Sequence, residues 1–375
     1  MHRFHFYQRL AGPLLAAAAA ALLAACAAAP GVDGAAAPAA SASKDPRLSF
    51  DAEQAWGGQA RCDAASCLLA LVEHRSGHVS VYDVQPDSVQ LLARQEVAYH
   101  PDSAIWLGPG HIAAAVEASR SLDLFALQDG RLQPQGQIGV GFAPRDLLQL
   151  PAPEGRYRVL ATPYSGTQVA LAEWPAGQPQ AAQVRHGQWC EAPWHPALLD
   201  RAAGQVGAGL AVGCLDDHVV VWLPQDAPLG TPRVLAQFDT VPRQVAPSPS
   251  GQWLYVALEN TKRNARINMD TGAVQYIPAP TTGAVSVAPL RDDLAIWGDD
   301  QRVYLQLLAA DGQVQETRWL PTSGFATGLQ LIDLNHDGVL DLVILNSADE
   351  QSDIIHGPLW ERASTTPIGL TNAAR

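Results

Sequence analysis

The chain has 375 residues and a formal net charge of −13, with 24 lysines and arginines against 37 aspartates and glutamates. An acidic chain of this kind has no electrostatic footprint for nucleic acid and is repelled by anionic lipid, which sets nucleic-acid-binding functions aside. Twenty-eight prolines work against long helices, and after the first 25 residues no apolar run is long enough to cross a bilayer.

The first predicted element is an export signal. Arg3 and Arg9 make a basic start, and Leu14 to Ala25 is an unbroken apolar run. That run is too short to span a membrane and has the length of a signal-peptide core. It stops at Leu23-Ala24-Ala25-Cys26, which resembles the lipobox of bacterial lipoproteins. The resemblance implies a signal peptide over residues 1–25, cleavage before Cys26, diacylation of its thiol and acylation of the new N-terminus. Several acyl chains make anchoring stable, so the expected product is tethered to a membrane and does not span it. Ala27 stands where an inner-membrane retention signal would have aspartate, which by resemblance implies the outer membrane. Residues 26–46 follow as a tether, because their Ala/Pro/Gly/Ser composition cannot bury enough surface to fold. Within it Ser41-x-x-Lys44 matches a nucleophile motif formally, but without any supporting second motif.

With Cys26 assigned to lipid, four cysteines remain: Cys62, Cys67, Cys190 and Cys214. An even number in an exported chain points to disulfides. Three pairings exist, and Cys62–Cys67 with Cys190–Cys214 is favoured because each pair then falls inside one repeat.

Residues 47–375 carry that repeat. A short strand recurs as HVSVYDV from His78, LDLFAL from Leu122, QVALAEW from Gln168, HVVVWLP from His218, ARINMD from Ala265 and RVYLQLL from Arg302. Its period falls in the range of propeller blades. Each instance follows an apolar run (CLLALVEH, HIAAAVEA, YRVLATPY, AGLAVGCL, WLYVALEN, DLAIWGDD), as expected of strands covered on both faces. Turn-rich segments such as WLGPG and APSPSG precede those runs, and Asp-Gly or Thr-Gly turns follow the recurring strands. The order is one four-stranded antiparallel blade. Six blades read this way and GFATGLQLIDLNHDGVLDLVILN supplies a seventh. The expectation is an all-β, seven-bladed β-propeller, with eight blades as the alternative and RLSFDAEQAW closing the last blade.

The seventh blade, at about 321–375 by its motif, contains the stretch that looks built for an ion. Asp333, Asn335, Asp337 and Asp341 occupy positions 1, 3, 5 and 9 of a loop, with the carbonyl of Val339 at position 7 and Gly338 for the turn. Carboxylates drawn together in so short a loop repel one another unless a cation lies between them. Ile344 stands where an EF-hand needs glutamate, so the loop is not an EF-hand. D-x-N-x-D-G-x-x-D followed by a strand resembles the FG-GAP/VCBS repeats of integrin-type propellers. The resemblance implies one structural calcium, held between two strands of one blade.

Elsewhere the densest aromatic and titratable cluster is Trp189, Glu191, Trp194 and His195, a candidate platform for a sugar or peptide. Blade packing around a disulfide accounts for the same residues. His74 and His78 flank a turn without a third metal ligand nearby. The glycines from Gly207 to Gly213 lack the strand–helix context of a nucleotide fingerprint. No catalytic residue is assigned. The function expected is therefore a lipid-anchored extracytoplasmic binding or scaffolding module for a protein or glycan. The alternative is a periplasmic enzyme of lactonase or lyase type, with its site in the central channel.

Overall fold

A computed structural model describes residues 47–64, 66–199, 208–300 and 302–368. The leader, Cys26, the tether and Gly207 lie outside the described residues. The chain forms seven four-stranded antiparallel sheets, six of which take their strands in sequence order. It is a seven-bladed β-propeller. The inner strands are Ala55–Cys62, Pro101–Gly108, Pro144–Gln149, Pro193–Leu199, Val241–Pro247, Ser286–Arg291 and Ala326–Ile332. They touch one another in succession, and the seventh touches the first, so the ring is closed around a central channel.

The second strand of each blade is the apolar run anticipated from sequence. Cys67–Glu73, His111–Val116 and Leu294–Gly298 are buried almost throughout, because neighbouring blades cover both of their faces. Outer strands such as Arg131–Gly139 are mostly exposed and carry few bulky apolar residues. The core is correspondingly divided into clusters between blades; Leu71, Tyr82 and Phe50, for example, pack with Val343 and Leu345 where the first blade meets the seventh. The Asp129-Gly130 turn puts Gly130 at φ 70°, a left-handed conformation that costs glycine nothing.

Closure is made by the shorter segment Arg47–Asp51. It pairs with Gln351–Ile355 as the outer strand of blade 7. Ala55 already begins the inner strand of blade 1, so the stretch RLSFDAEQAW is divided between the last blade and the first. The closing strand is held by side chains as well as by its ladder: Ser49 Oγ donates to Asp353 Oδ1 at 2.7 Å, and the buried Phe50 packs on Tyr82 with ring centroids 4.9 Å apart. Blade 7 ends at Ile355. After it the chain forms a short helix, Leu359–Arg362, and crosses to the outer strand of blade 6, where Ser364 bridges Trp319. The blade is therefore narrower than the expected 321–375, because its fourth strand comes from the other end of the chain.

Both in-repeat disulfides form. Cys62 and Cys67 face each other across the first hairpin with Cα atoms 4.1 Å apart, and Cys190 joins Cys214 across 5.7 Å at the entry to blade 4. Two disulfides point to an extracytoplasmic location. Among the described residues no helix is long and apolar enough to cross a membrane.

Phe50 is 5% exposed and belongs to the strand that completes the ring. Phe50→Ala should lower unfolding stability by about 3–5 kcal/mol in urea titration. Leu91→Ala, at an outer-strand site 52% exposed, should change it by no more than about 0.5 kcal/mol.

Candidate functional site

Every inner strand starts at the same face of the ring, and its hairpin to the second strand lies at the other face. Near their starts the inner strands of blades 1 to 5 and of blade 7 slip register against their neighbours. A bulge of this kind leaves one extra residue unpaired and re-aims its side chain. The residues at these slips are Trp56 and Gly57, Asp102, Arg145, His195 and Pro196, Arg243, and Thr327. Six blades thus each turn a residue out of the ladder at one mouth of the channel. Gly213 helps to set this geometry, since a Cβ there would strike the carbonyl of Pro242, the residue before Arg243.

The side chains at the mouth interlock between blades. Trp56 of blade 1 and Trp194 of blade 4 stack with centroids 6.4 Å apart. Arg145 lies over Trp194 at 3.5 Å and over the exposed Tyr164 at 4.6 Å, while Arg243 lies over Trp194 at 3.7 Å. Asp146 receives Ser103 Oγ at 2.9 Å and the Leu147 amide at 2.8 Å, and its other oxygen is 2.8 Å from His195 Nδ1. Asp102 lies 3.1 Å from His74 Nδ1.

These surroundings separate the two aspartates. Burial pushes the Asp146 carboxyl up, but His195, Ser103 and the Leu147 amide outweigh it and hold the group below the usual carboxylate range. For Asp102 burial prevails over His74 and Arg145, and the carboxyl is pushed up. Burial also lowers both arginines, Arg243 to about 10 despite its contact with Glu259 at 3.1 Å. Among the described residues, Asp102 Oδ2 and Arg145 Nε are buried with no hydrogen-bond partner.

Inside this mouth the channel holds a cavity of about 490 Å³. Trp56, Asp146 and His195 line its upper part, and Gln59, Gln149, Gln244 and Gln330 project from four inner strands.

Of the platform residues named from sequence, Trp194 and His195 stand at the mouth, with rings stacked 4.9 Å apart. Trp189 is instead packed between blades 3 and 4, its Nε1 donating to the Pro228 carbonyl at 3.0 Å. Glu191 lies on the loop entering blade 4, its amide donating to Asp217 Oδ2 at 2.8 Å. Asp102, Arg145 and Arg243 were not singled out. One signal in the sequence does mark them: Pro101-Asp102, Pro144-Arg145 and Pro242-Arg243 repeat a proline followed by the residue at the slip.

The Asp333–Asp341 loop lies on the opposite face, in the hairpin between the inner and second strands of blade 7. Its acceptors turn inward. The Asp337 amide donates to Asp333 Oδ1 at 3.2 Å and to Asn335 Oδ1 at 3.1 Å, Gly338 to Asp333 Oδ2 at 2.9 Å, and Val339 to Asp337 Oδ1 at 2.8 Å. Asp341 is fully buried; Oδ2 accepts the Leu334 amide at 2.7 Å and Oδ1 the Gly357 amide at 2.8 Å. Burial raises its carboxyl, but His356 and those two amides bring it below the ordinary range. A carboxylate oxygen has two acceptor directions, so Oδ2 retains one beyond the Leu334 amide. The first disulfide abuts this loop, with Cys62 Sγ 3.3 Å from the Asp333 carbonyl.

No protein-family model matches the chain, and no curated protein matches it. Among solved structures it is similar to the crystal structure of the Saccharomyces cerevisiae Sqt1, at 11% identity and a TM-score of 0.55, over 83% of this chain and 98% of that one. At that identity the likeness shows the propeller fold alone.

The two aspartates carry opposite linkage. Folded Asp146 holds its proton less tightly than the unfolded chain does, so its stabilisation is full above the unfolded value of about 3.9 and is lost as pH falls through the folded one. Asp146→Asn should therefore lose stability at pH 7, by about 1–3 kcal/mol for the charge-assisted bonds removed, and show a flatter acid limb below about pH 4. Asp102 is raised, so its ionised form opposes folding above the unfolded value. Asp102→Asn should be neutral or stabilising at pH 7 in the same denaturation series.

Proposed function

We propose that this chain is a lipid-anchored binding and scaffolding propeller of the cell envelope, and that its channel-mouth face engages a protein or glycan partner. The observation that carries the binding reading is the set of bulges, which aim side chains from six blades at one opening. Bulges give up ladder pairing, and a buried cluster of two arginines and two aspartates costs desolvation, so neither is expected of a face that only closes the fold. Tyr99 and Tyr164, 64% and 47% exposed, rim that face and offer amphipathic contact area. Anchoring is inferred from the basic start, the apolar run and the lipobox-like Leu23–Cys26, and agrees with the disulfides. The outer membrane is the site proposed for the anchor.

A photocrosslinking amino acid at Tyr99 or Tyr164 in cells should yield adducts with an envelope macromolecule, whereas one at the exposed Val339 on the opposite face should not. Cys26→Ser should release the protein from the membrane fraction in the same cells. Adducts of equal yield from both faces would overturn the assignment of the binding face.

On the opposite face, the proposal retains a structural calcium at Asp333, Asn335, Asp337 and Asp341 with the Val339 carbonyl, in an FG-GAP/VCBS-type loop. The donors are the hard oxygens such a cation takes, and the inward-turned acceptors described above are compatible with it. Millimolar calcium should raise the melting temperature by several degrees over EGTA. Asp337→Ala should abolish that rise. Equal melting in both media would remove calcium from the proposal.

One observation favours a second reading, a channel enzyme of lactonase or lyase type. His195 lines the cavity with Asp146 behind its Nδ1, the arrangement that orients an imidazole as general base. Turnover of a sugar lactone or glycan by the parent protein, lost in His195→Gln, would establish it.

A further inference from the structure

The four channel glutamines serve first as stitches between blades. Gln59 Oε1 accepts the Trp106 amide at 2.8 Å, Gln244 Oε1 accepts the Val287 amide at 2.9 Å, and Gln149 Nε2 donates to the Leu107 carbonyl at 2.9 Å. Gln330 spends both ends on Ala60, at 2.8 and 3.2 Å. Among the described residues, only half of the amide is bonded in each of the first three. Gln59 Nε2 and Gln244 Nε2 remain as donors and Gln149 Oε1 as an acceptor, all on residues that line the cavity. The stitches fix these amides in place, so they meet a ligand without further ordering.

The charge of the lining is equally informative. Among the described residues no lysine or arginine belongs to it, and the one carboxylate there, Asp146, already takes Ser103, the Leu147 amide and His195. The cavity wall therefore offers no guanidinium or ammonium to an anion, its imidazole already facing Asp146, and no free carboxylate to an ammonium group. What it does offer is fixed neutral donors and an acceptor, the ring of Trp56, and apolar walls from Ile105, Leu198 and Val245. Its volume of about 490 Å³ suits a small ligand.

From this we infer that the channel cavity binds a neutral, hydroxyl-rich ring, either a free monosaccharide or the terminal unit of a glycan. Hydroxyl groups both donate and accept, which is what the half-used amides require, and the apolar face of a sugar ring matches Trp56. The inference rests on the channel-mouth binding reading and names a ligand class for it.

The test is saturation-transfer NMR on the purified protein with D-glucose, D-galactose and diacetylchitobiose, beside D-glucuronate and D-glucosamine as charged counterparts. Transfer to at least one neutral sugar is expected, and little to the charged ones. A disaccharide response without a monosaccharide response identifies a glycan end, and the converse a free sugar. Gln244→Glu keeps the oxygen that accepts the Val287 amide but replaces the free donor by an acceptor; Ala197→Phe fills the cavity. Each should weaken binding at least about ten-fold, a loss of about 1.4 kcal/mol, with the melting temperature of Gln244→Glu confirming its fold. No transfer to any neutral sugar, transfer unchanged in both variants, or preference for a charged sugar would overturn the inference. Mouth-face crosslinks persisting without sugar binding would overturn it alone and leave the binding-module reading standing.

Discussion

The structure depends on the pairing of Arg47–Asp51 with Gln351–Ile355. Without it blade 7 would have three strands, and its packing against blade 1 would lose Phe50 from the shared cluster. A closed ring has no free end from which blades can fray, and each sheet relies on its neighbours for burial. That is why the second strands can be apolar on both faces although no single blade has a core of its own. Closure also joins the two most distant parts of the sequence, so it is the costliest contact to form in chain entropy. Ser49 and the buried Asp353 add side-chain bonds at this seam.

Closure in turn makes the channel, and the bulges decide what faces it. A regular inner strand would alternate its side chains between neighbouring sheets and leave the mouth lined by backbone. Slipping the register by one residue near the start of six strands turns Asp102, Arg145 and Arg243 out of the ladder. Stacking on Trp194 then shelters both guanidiniums in a setting where a lone buried charge would be expensive.

The two faces carry different chemistry. At the mouth face, charges from separate blades are brought together by tertiary structure and tied pairwise. On the other face the Asp333–Asp341 loop gathers its acceptors from one short stretch, next to the Cys62–Cys67 disulfide. Local chemistry of that second kind can be read from a motif. The first kind cannot, because Asp146 and His195, or Trp56 and Trp194, are separated by whole blades in the chain.

The sequence by itself determined the repeat, the number of blades, the strand order within each blade and the in-repeat disulfides. All of these rest on local periodicity, on turn residues such as Asp129-Gly130, and on contacts within a single hairpin or blade. It also placed the Asp333–Asp341 loop correctly between the inner and second strands, since that hairpin recurs at the same point in every repeat. Tertiary structure alone decided that His195 would line the channel and Trp194 stand at its mouth while Trp189 packs between blades, for the three differ by only a few positions. A register slip of one residue reverses which way a strand's side chains point, and no propensity or spacing encodes it. The recurring proline before Asp102, Arg145 and Arg243 is its trace in the sequence, legible once the ring has set those residues side by side.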